Sequence, residues 1–148
     1  MKALIVYDSV YGNTEKIARA IGEGLAGEVK VLRAGEADAS RPEAFDLIIV
    51  GSPTHGGRPT PAIQNFMKGT SPVLKGKKAA AFDTRVTSGF ARIFGYAAGR
   101  IADSLKGSGC SLVAQPEGFY VTGSQGPLKD GEVERAVGWA KGIMDDLK

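Results

Sequence analysis

The sequence predicts an α/β fold: a doubly wound parallel sheet of five strands with helices packed on both faces. Three observations predict it. Apolar, strand-like runs alternate with stretches of helical periodicity along the chain, the βαβαβ pattern of a wound sheet. Two of those runs, Leu47-Ile48-Ile49-Val50 and Ala79-Ala80-Ala81-Phe82, are apolar without alternation, as suits strands covered on both faces. Finally, the small polar loop Ser9-Val10-Tyr11-Gly12-Asn13-Thr14 joins the first run to the first helical pattern. In an open α/β sheet, loops at the C-terminal strand ends are where ligands bind.

Lys2–Tyr7 is the first expected strand, and Glu15 to Ala26 the first helix, with Ile17, Ile21 and Leu25 at helical spacing. The second and third strands are expected over Glu28–Leu32 and Asp46–Gly51. Pro61 suits the first position of a helix over Pro61–Met67, where a missing N–H costs nothing. Lys78–Asp83 is the fourth strand, and Ile93, Ala97, Ile101 and Leu105 recur every four residues along one helical face. Cys110–Ala114, continuing into Gly118–Val121, is the fifth strand. Val133, Val137, Ala140, Met144 and Leu147 mark a last helix from about Glu132 to Lys148. Gly22, Gly24, Gly95 and Gly99 fall inside helical patterns, each weakening its helix by about 1 kcal/mol, and are read as points of close helix approach. No repeat, low-complexity tract or linker divides residues 1–148, which are read as one domain.

Composition narrows the function. An apolar fraction of 43% is that of a globular protein, and no apolar run approaches the roughly 20 residues of a membrane span. The first strand begins at Lys2, leaving no signal-peptide n-region, so a cytoplasmic location is expected. Cys110 is alone, which excludes a disulfide framework, and beside Ser111, Leu112 and Val113 it reads as a small buried filler. The net charge of +3 is mild and its cations are dispersed. The densest group, Lys75, Lys77 and Lys78, has no interleaved aromatics and reads as a solvated turn, so neither nucleic acid nor membrane is an expected partner.

The loop from Ser9 to Thr14 has the chemistry of a phosphate site. Where a strand passes into a helix, unpaired backbone N–H groups collect at the positive end of the helix dipole. Ser9, Asn13 and Thr14 add side-chain donors, and Gly12 lets the backbone close around a small anion. No Lys or Arg lies inside the loop, so neutral dipoles would hold the phosphate. The loop lacks both the G-x-G-x-x-G of dinucleotide folds and the P-loop pattern, and taken alone also reads as an ordinary capped turn. Two further loops, Ser52–Thr60 and Thr84–Phe90, should meet it at the same sheet edge. Both are rich in the small residues that backbone contact with a planar ligand needs.

On these residues the chain resembles the short-chain flavodoxin family over essentially its whole length. Lys2 to Thr14 resembles the family's first strand and phosphate loop, and Val50-Gly51-Ser52-Pro53-Thr54-His55-Gly56 its second loop. Asp83 to Phe90 matches the third loop in position. The resemblance implies strand order 2-1-3-4-5, one noncovalent FMN, and electron transfer by a monomeric carrier rather than catalysis. It implies as partners a flavodoxin or ferredoxin reductase as donor and a reductive enzyme as acceptor. The implied FMN contacts are Ser9, Val10, Tyr11, Gly12, Asn13, Thr14, Pro53, Thr54, His55, Gly56, Gly57, Asp83, Thr84, Arg85 and Phe90. Gly56-Gly57, able to reach φ > 0, either turns a carbonyl toward flavin N5 or forms a plain turn. Arg85 either lies near the pyrimidine edge of the flavin, or points to solvent or pairs with an acid. The chain departs from the family in two ways. Its only Trp, Trp139, lies in the last helix, leaving His55 and Phe90 where stacking aromatics are usual, and it is basic where flavodoxins are usually acidic.

Other functions of this architecture are less well served. A receiver domain needs an acceptor Asp at the end of the third strand, where Gly51-Ser52 stands. Low-molecular-weight phosphatase chemistry needs Cys and Arg around the phosphate loop, which has neither. The serious rival is an FMN-dependent NAD(P)H:quinone reductase, followed by an FMN store or a domain of a larger flavoprotein.

Overall fold

β1 (Lys2–Tyr7) shows why an unbroken apolar run becomes a central strand. Successive side chains leave opposite faces, so Ala3, Ile5 and Tyr7 enter one core while Leu4 and Val6 enter the other. The computed structural model describes residues 1–37, 41–86 and 96–147. After β1 come α1 (Asn13–Gly24), β2 (Glu28–Arg33), the short α2 (Ala34–Ala37), β3 (Leu47–Pro53), α3 (Pro61–Thr70) and β4 (Lys78–Arg85). They are followed by α4 (Ala97–Gly107), β5 (Ser111–Leu112), β6 (Glu117–Tyr120) and α5 (Glu132–Asp146).

All strand pairs are parallel and the order is β2-β1-β3-β4-β5, as expected. The fifth strand needs a correction. It is two short strands, β5 beside Lys78 and Ala79 and β6 beside Phe82 to Arg85, so together they fill one lane along the edge of β4. The break falls at Gln115-Pro116; a proline has no N–H to give a ladder.

One core, between the sheet and α1 and α5, includes Ile17, Ile21, Ala136, Ala140 and Ile143; the other, beneath α2, α3 and α4, includes Ile63, Phe66, Ile101 and Leu105. Each fully buried Ile or Leu contributes about 1.5–3 kcal/mol of transfer free energy. Trp139 packs edge-on against Phe82 and Phe119, ring centroids 6.4 and 6.0 Å away, and so belongs to the first core. Gly24 marks a close approach, because a Cβ there would lie 2.5 Å from the Val137 carbonyl oxygen on α5. Gly99 has open space around its Cβ position and is no such point, while Gly95 and Ile93 lie outside the described residues. Cys110 is half-buried, its thiol donating to the Leu74 carbonyl at 3.5 Å, and burial pushes its pKa up. Among the described residues no helix is long and apolar enough to cross a membrane.

Candidate functional site

Four loops meet beyond the C-terminal ends of β1, β3, β4 and β6, and hydrogen bonds stitch them together. Asp8 N–H donates to the Gly51 carbonyl (3.2 Å), and Thr54 N–H to the Thr84 carbonyl (3.0 Å). The buried hydroxyls of Thr14 and Thr84 share a hydrogen bond of 2.8 Å. Asn13 Nδ2 donates to the Gln125 carbonyl at 3.2 Å, reaching a loop 112 residues away.

The Ser9–Thr14 loop closes on itself. Ser9 Oγ accepts the Gly12 N–H at 3.0 Å, and Gly12 takes φ 93°, a left-handed conformation that glycine adopts at little cost. Among the described residues, the N–H groups of Val10, Tyr11, Asn13 and Thr14 have no acceptor. They stand at the N-terminus of the twelve-residue α1. A Cβ built on Gly12 would meet nothing within 4 Å, so it is the positive φ and not crowding that favours glycine there.

The electrostatics beside this loop differ from a purely neutral nest. Arg33, at the end of β2, donates to the Ser9 carbonyl at 2.9 Å and pairs with Asp8 at 3.7 Å and Glu15 at 3.2 Å. It thereby offsets two carboxylates that would repel an anion. The hydrogen bond from Arg19 holds the Glu15 carboxyl below its usual pKa. Arg33 lay one strand away in sequence, but its pairing with Tyr7 across the β1–β2 ladder puts it at the same edge.

His55-Gly56-Gly57-Arg58 is a tight turn closed by reciprocal backbone bonds of 2.9 and 3.1 Å between His55 and Arg58. Gly56 and Gly57 both have positive φ, 59° and 77°, the conformation expected of them. The Gly57 carbonyl, however, accepts from Arg100 Nε at 2.8 Å.

At the end of β4, Arg85 forms a two-pronged ion pair with Asp83 at 2.7 and 2.8 Å and lies over the Tyr96 ring at 3.4 Å. It is therefore not a free cation. The fully buried Asp83 carboxylate also accepts the Ala98 N–H at 2.9 Å, tying β4 to α4. Burial raises the Asp83 pKa against the lowering effect of Arg85.

One cleft of about 180 Å³ is lined by Ser9, Val10, Tyr11, Asn13, Thr14, Pro53, Thr54, His55, Thr84 and Arg85, all singled out from the sequence. Gly12, Gly56 and Gly57 shape its loops. Asp83 does not line it: its carboxylate turns to Arg85 and α4. Phe90 lies outside the described residues. Val86, inside the expected Thr84–Phe90 loop, completes the wall with Val121 and Ser124; those two and Gln125 were missed. The signal was available: residues 121–127 follow the last strand, so the rule that selected the other loops selects this one too.

The family model of the flavodoxin domain matches residues 4–92. Flavodoxin 2 from Bacillus cereus, in its oxidised crystal structure, superposes with a TM-score of 0.83 at 28% identity, covering 98% of this chain and 99% of that one. An uncharacterized protein of Methanocaldococcus jannaschii is 42% identical over 73 residues, 45% of this chain. An NAD(P)H dehydrogenase (quinone) of Methylocella silvestris is 32% identical over 114 residues, 58% of this chain. The chain spans 19% and 57% of the length of those two curated relatives.

Proposed function

The chain belongs to the flavodoxin domain family, and from that membership we propose that it binds one FMN in the four-loop cleft and carries electrons singly between protein partners. When bound, FMN supplies a redox centre that can accept and release one electron at a time. The residues present fit it. The observation that carries the reading is the set of four unpaired amides on the Ser9–Thr14 loop, at a helix N-terminus and on the wall of the cleft. That donor set suits a phosphate monoester. Thr14 and Asn13 are buried polar residues that line the cleft, held in place by hydrogen bonds to Thr84 and to the Gln125 carbonyl, and Arg33 balances the carboxylates alongside. The His55–Arg58 turn and Thr84 give the cleft backbone-rich walls, which suit a flat heteroaromatic ring. A reductase of the flavodoxin or ferredoxin type as donor and a reductive enzyme as acceptor complete the proposal.

The absorption spectrum of the purified protein and titration of the apoprotein test it. FMN is expected to bind far more tightly than riboflavin; equal affinities would overturn the phosphate site. Thr14→Ala and Asn13→Ala each remove a donor to a charged group, a loss of about 1.5–3 kcal/mol, or roughly ten- to hundredfold in FMN affinity. Riboflavin affinity should hardly change.

The likeness to the NAD(P)H dehydrogenase (quinone) favours a second reading, an FMN-dependent quinone reductase. Steady NADPH consumption by the FMN-loaded protein with a quinone, in the absence of any other protein, would select it over the carrier.

A further inference from the structure

We infer that the groove between α3 and α4 is the docking surface for an acidic protein partner. This rests on the electron-carrier reading and names the charge of the partner. The groove is open and about 560 Å³, larger than the cleft. Its floor is apolar, Met67 and Ile101, and its rim carries Arg58, Lys68 and Arg100 with Gln64. Among the described residues no carboxylate lines it. Neither the Arg58 nor the Lys68 side chain has an ion-pair partner among the described residues, and both are exposed.

The charge pattern is set by the sequence. Between Asp46 and Asp83 there is no Asp or Glu, yet five cations stand there, of which Arg58 and Lys68 line the groove, and α4 adds Arg100 and Lys106 against Asp103. The opposite face is reversed, for α5 carries Glu132, Glu134, Asp145 and Asp146 against Arg135 and Lys141. The molecule is thus polarised across its sheet, and an acidic surface approaching it is steered to the α3–α4 side. That side is continuous with the cleft. Arg58, on the groove, closes the turn with His55, on the cleft, and Arg100 bonds the same turn through the Gly57 carbonyl. An acidic face seated on Arg58, Lys68 and Arg100 therefore lies against the wall of the redox site.

Backbone amide NMR of the full chain, with and without FMN, titrated with the acidic haem domain of a b-type cytochrome, tests this. At about 10 mM salt the shifts are expected on α3, α4 and the His55–Arg58 turn, and binding should weaken several-fold by about 200 mM. Lys68→Glu should weaken binding up to about fivefold, whereas Lys141→Glu, the same change in net charge on α5, should leave it within about twofold. Equal effects of the two variants, or shifts away from the groove, would overturn the inference. Concentration-dependent shifts of the groove in the protein alone would assign it to a second copy instead. Shifts there with ATP but none with the haem domain would assign it to a small polyanion. Loss of the carrier reading would show separately, as absence of bound flavin.

Discussion

Asp83 and Arg85 stand two residues apart on β4, so both side chains leave the same face of the strand. With Asp83 fully buried and the Arg85 side chain 14% exposed, the pair is sheltered from solvent, and each charge depends on the other. Arg85→Ala should cost about 3 kcal/mol near neutral pH by leaving a buried carboxylate unpaired. Burial already raises the Asp83 pKa above 3.8 in the folded chain, and loss of Arg85 removes two influences that lower it. The folded variant then holds a proton that the unfolded chain has released. Its stability is full below the unfolded pKa and is lost as pH rises through the folded one. Urea unfolding at about pH 5 and about pH 8 should therefore show the larger loss at the higher pH, and Asp83→Asn in the variant should flatten the difference. An equal loss at both pH values would refute it.

Among the elements, α5 is pinned to β6 by one charged cluster. Glu132 accepts the Tyr120 N–H at 2.7 Å and two hydrogen bonds from Arg135, which also reaches Glu117 at 2.9 Å and the Gly118 carbonyl. The Arg135 guanidinium lies 4.5 Å from the centre of the Phe119 ring. This fastens the lane that the proline-broken fifth strand covers with only a few ladder bonds. The hydrogen bond from Arg135, with that of the Tyr120 amide, holds the Glu132 carboxyl below its ordinary 4.5. The stability it contributes is present above that ordinary value and lost as pH falls through the lower folded one. Glu132→Gln should cost about 1.5–3 kcal/mol at neutral pH. The loss should shrink in acid, where the parent too is protonated; denaturant melts across the acid range measure this.

For the molecule as a whole, a ligand that binds only the folded chain raises its stability by mass action. FMN at a hundredfold above its Kd should add about 2.7 kcal/mol, raising Tm by roughly 5–10 °C for a chain of this size. Riboflavin at the same concentration should raise it much less, because it leaves the loop amides unmatched. Calorimetric scans that moved Tm equally for both would contradict a phosphate-centred site.

The sequence alone determined the elements and named most of the residues that line the cleft. Unbroken apolar runs that alternate with helical periodicity suit a parallel sheet covered on both faces, and the strand-to-helix loops are local in sequence. Ser9 to Thr14 could therefore be read as an anion nest, and the Gly56-Gly57 turn as a left-handed one, because backbone preference is a property of nearby residues. Tertiary structure decided what depends on partners distant along the chain or on direction. It brought Arg33 to the first loop and Gln125 to Asn13, across separations that no periodicity records. It turned Asp83 inward to Arg85 and α4, a choice between the two faces of a strand that composition leaves open. It also split the fifth strand, since an edge lane tolerates the break at Pro116 that a central ladder would not. Charge signs are written in the sequence, but only folding brings Arg58, Lys68 and Arg100 to one groove and sets the acids of α5 on the other side of the sheet.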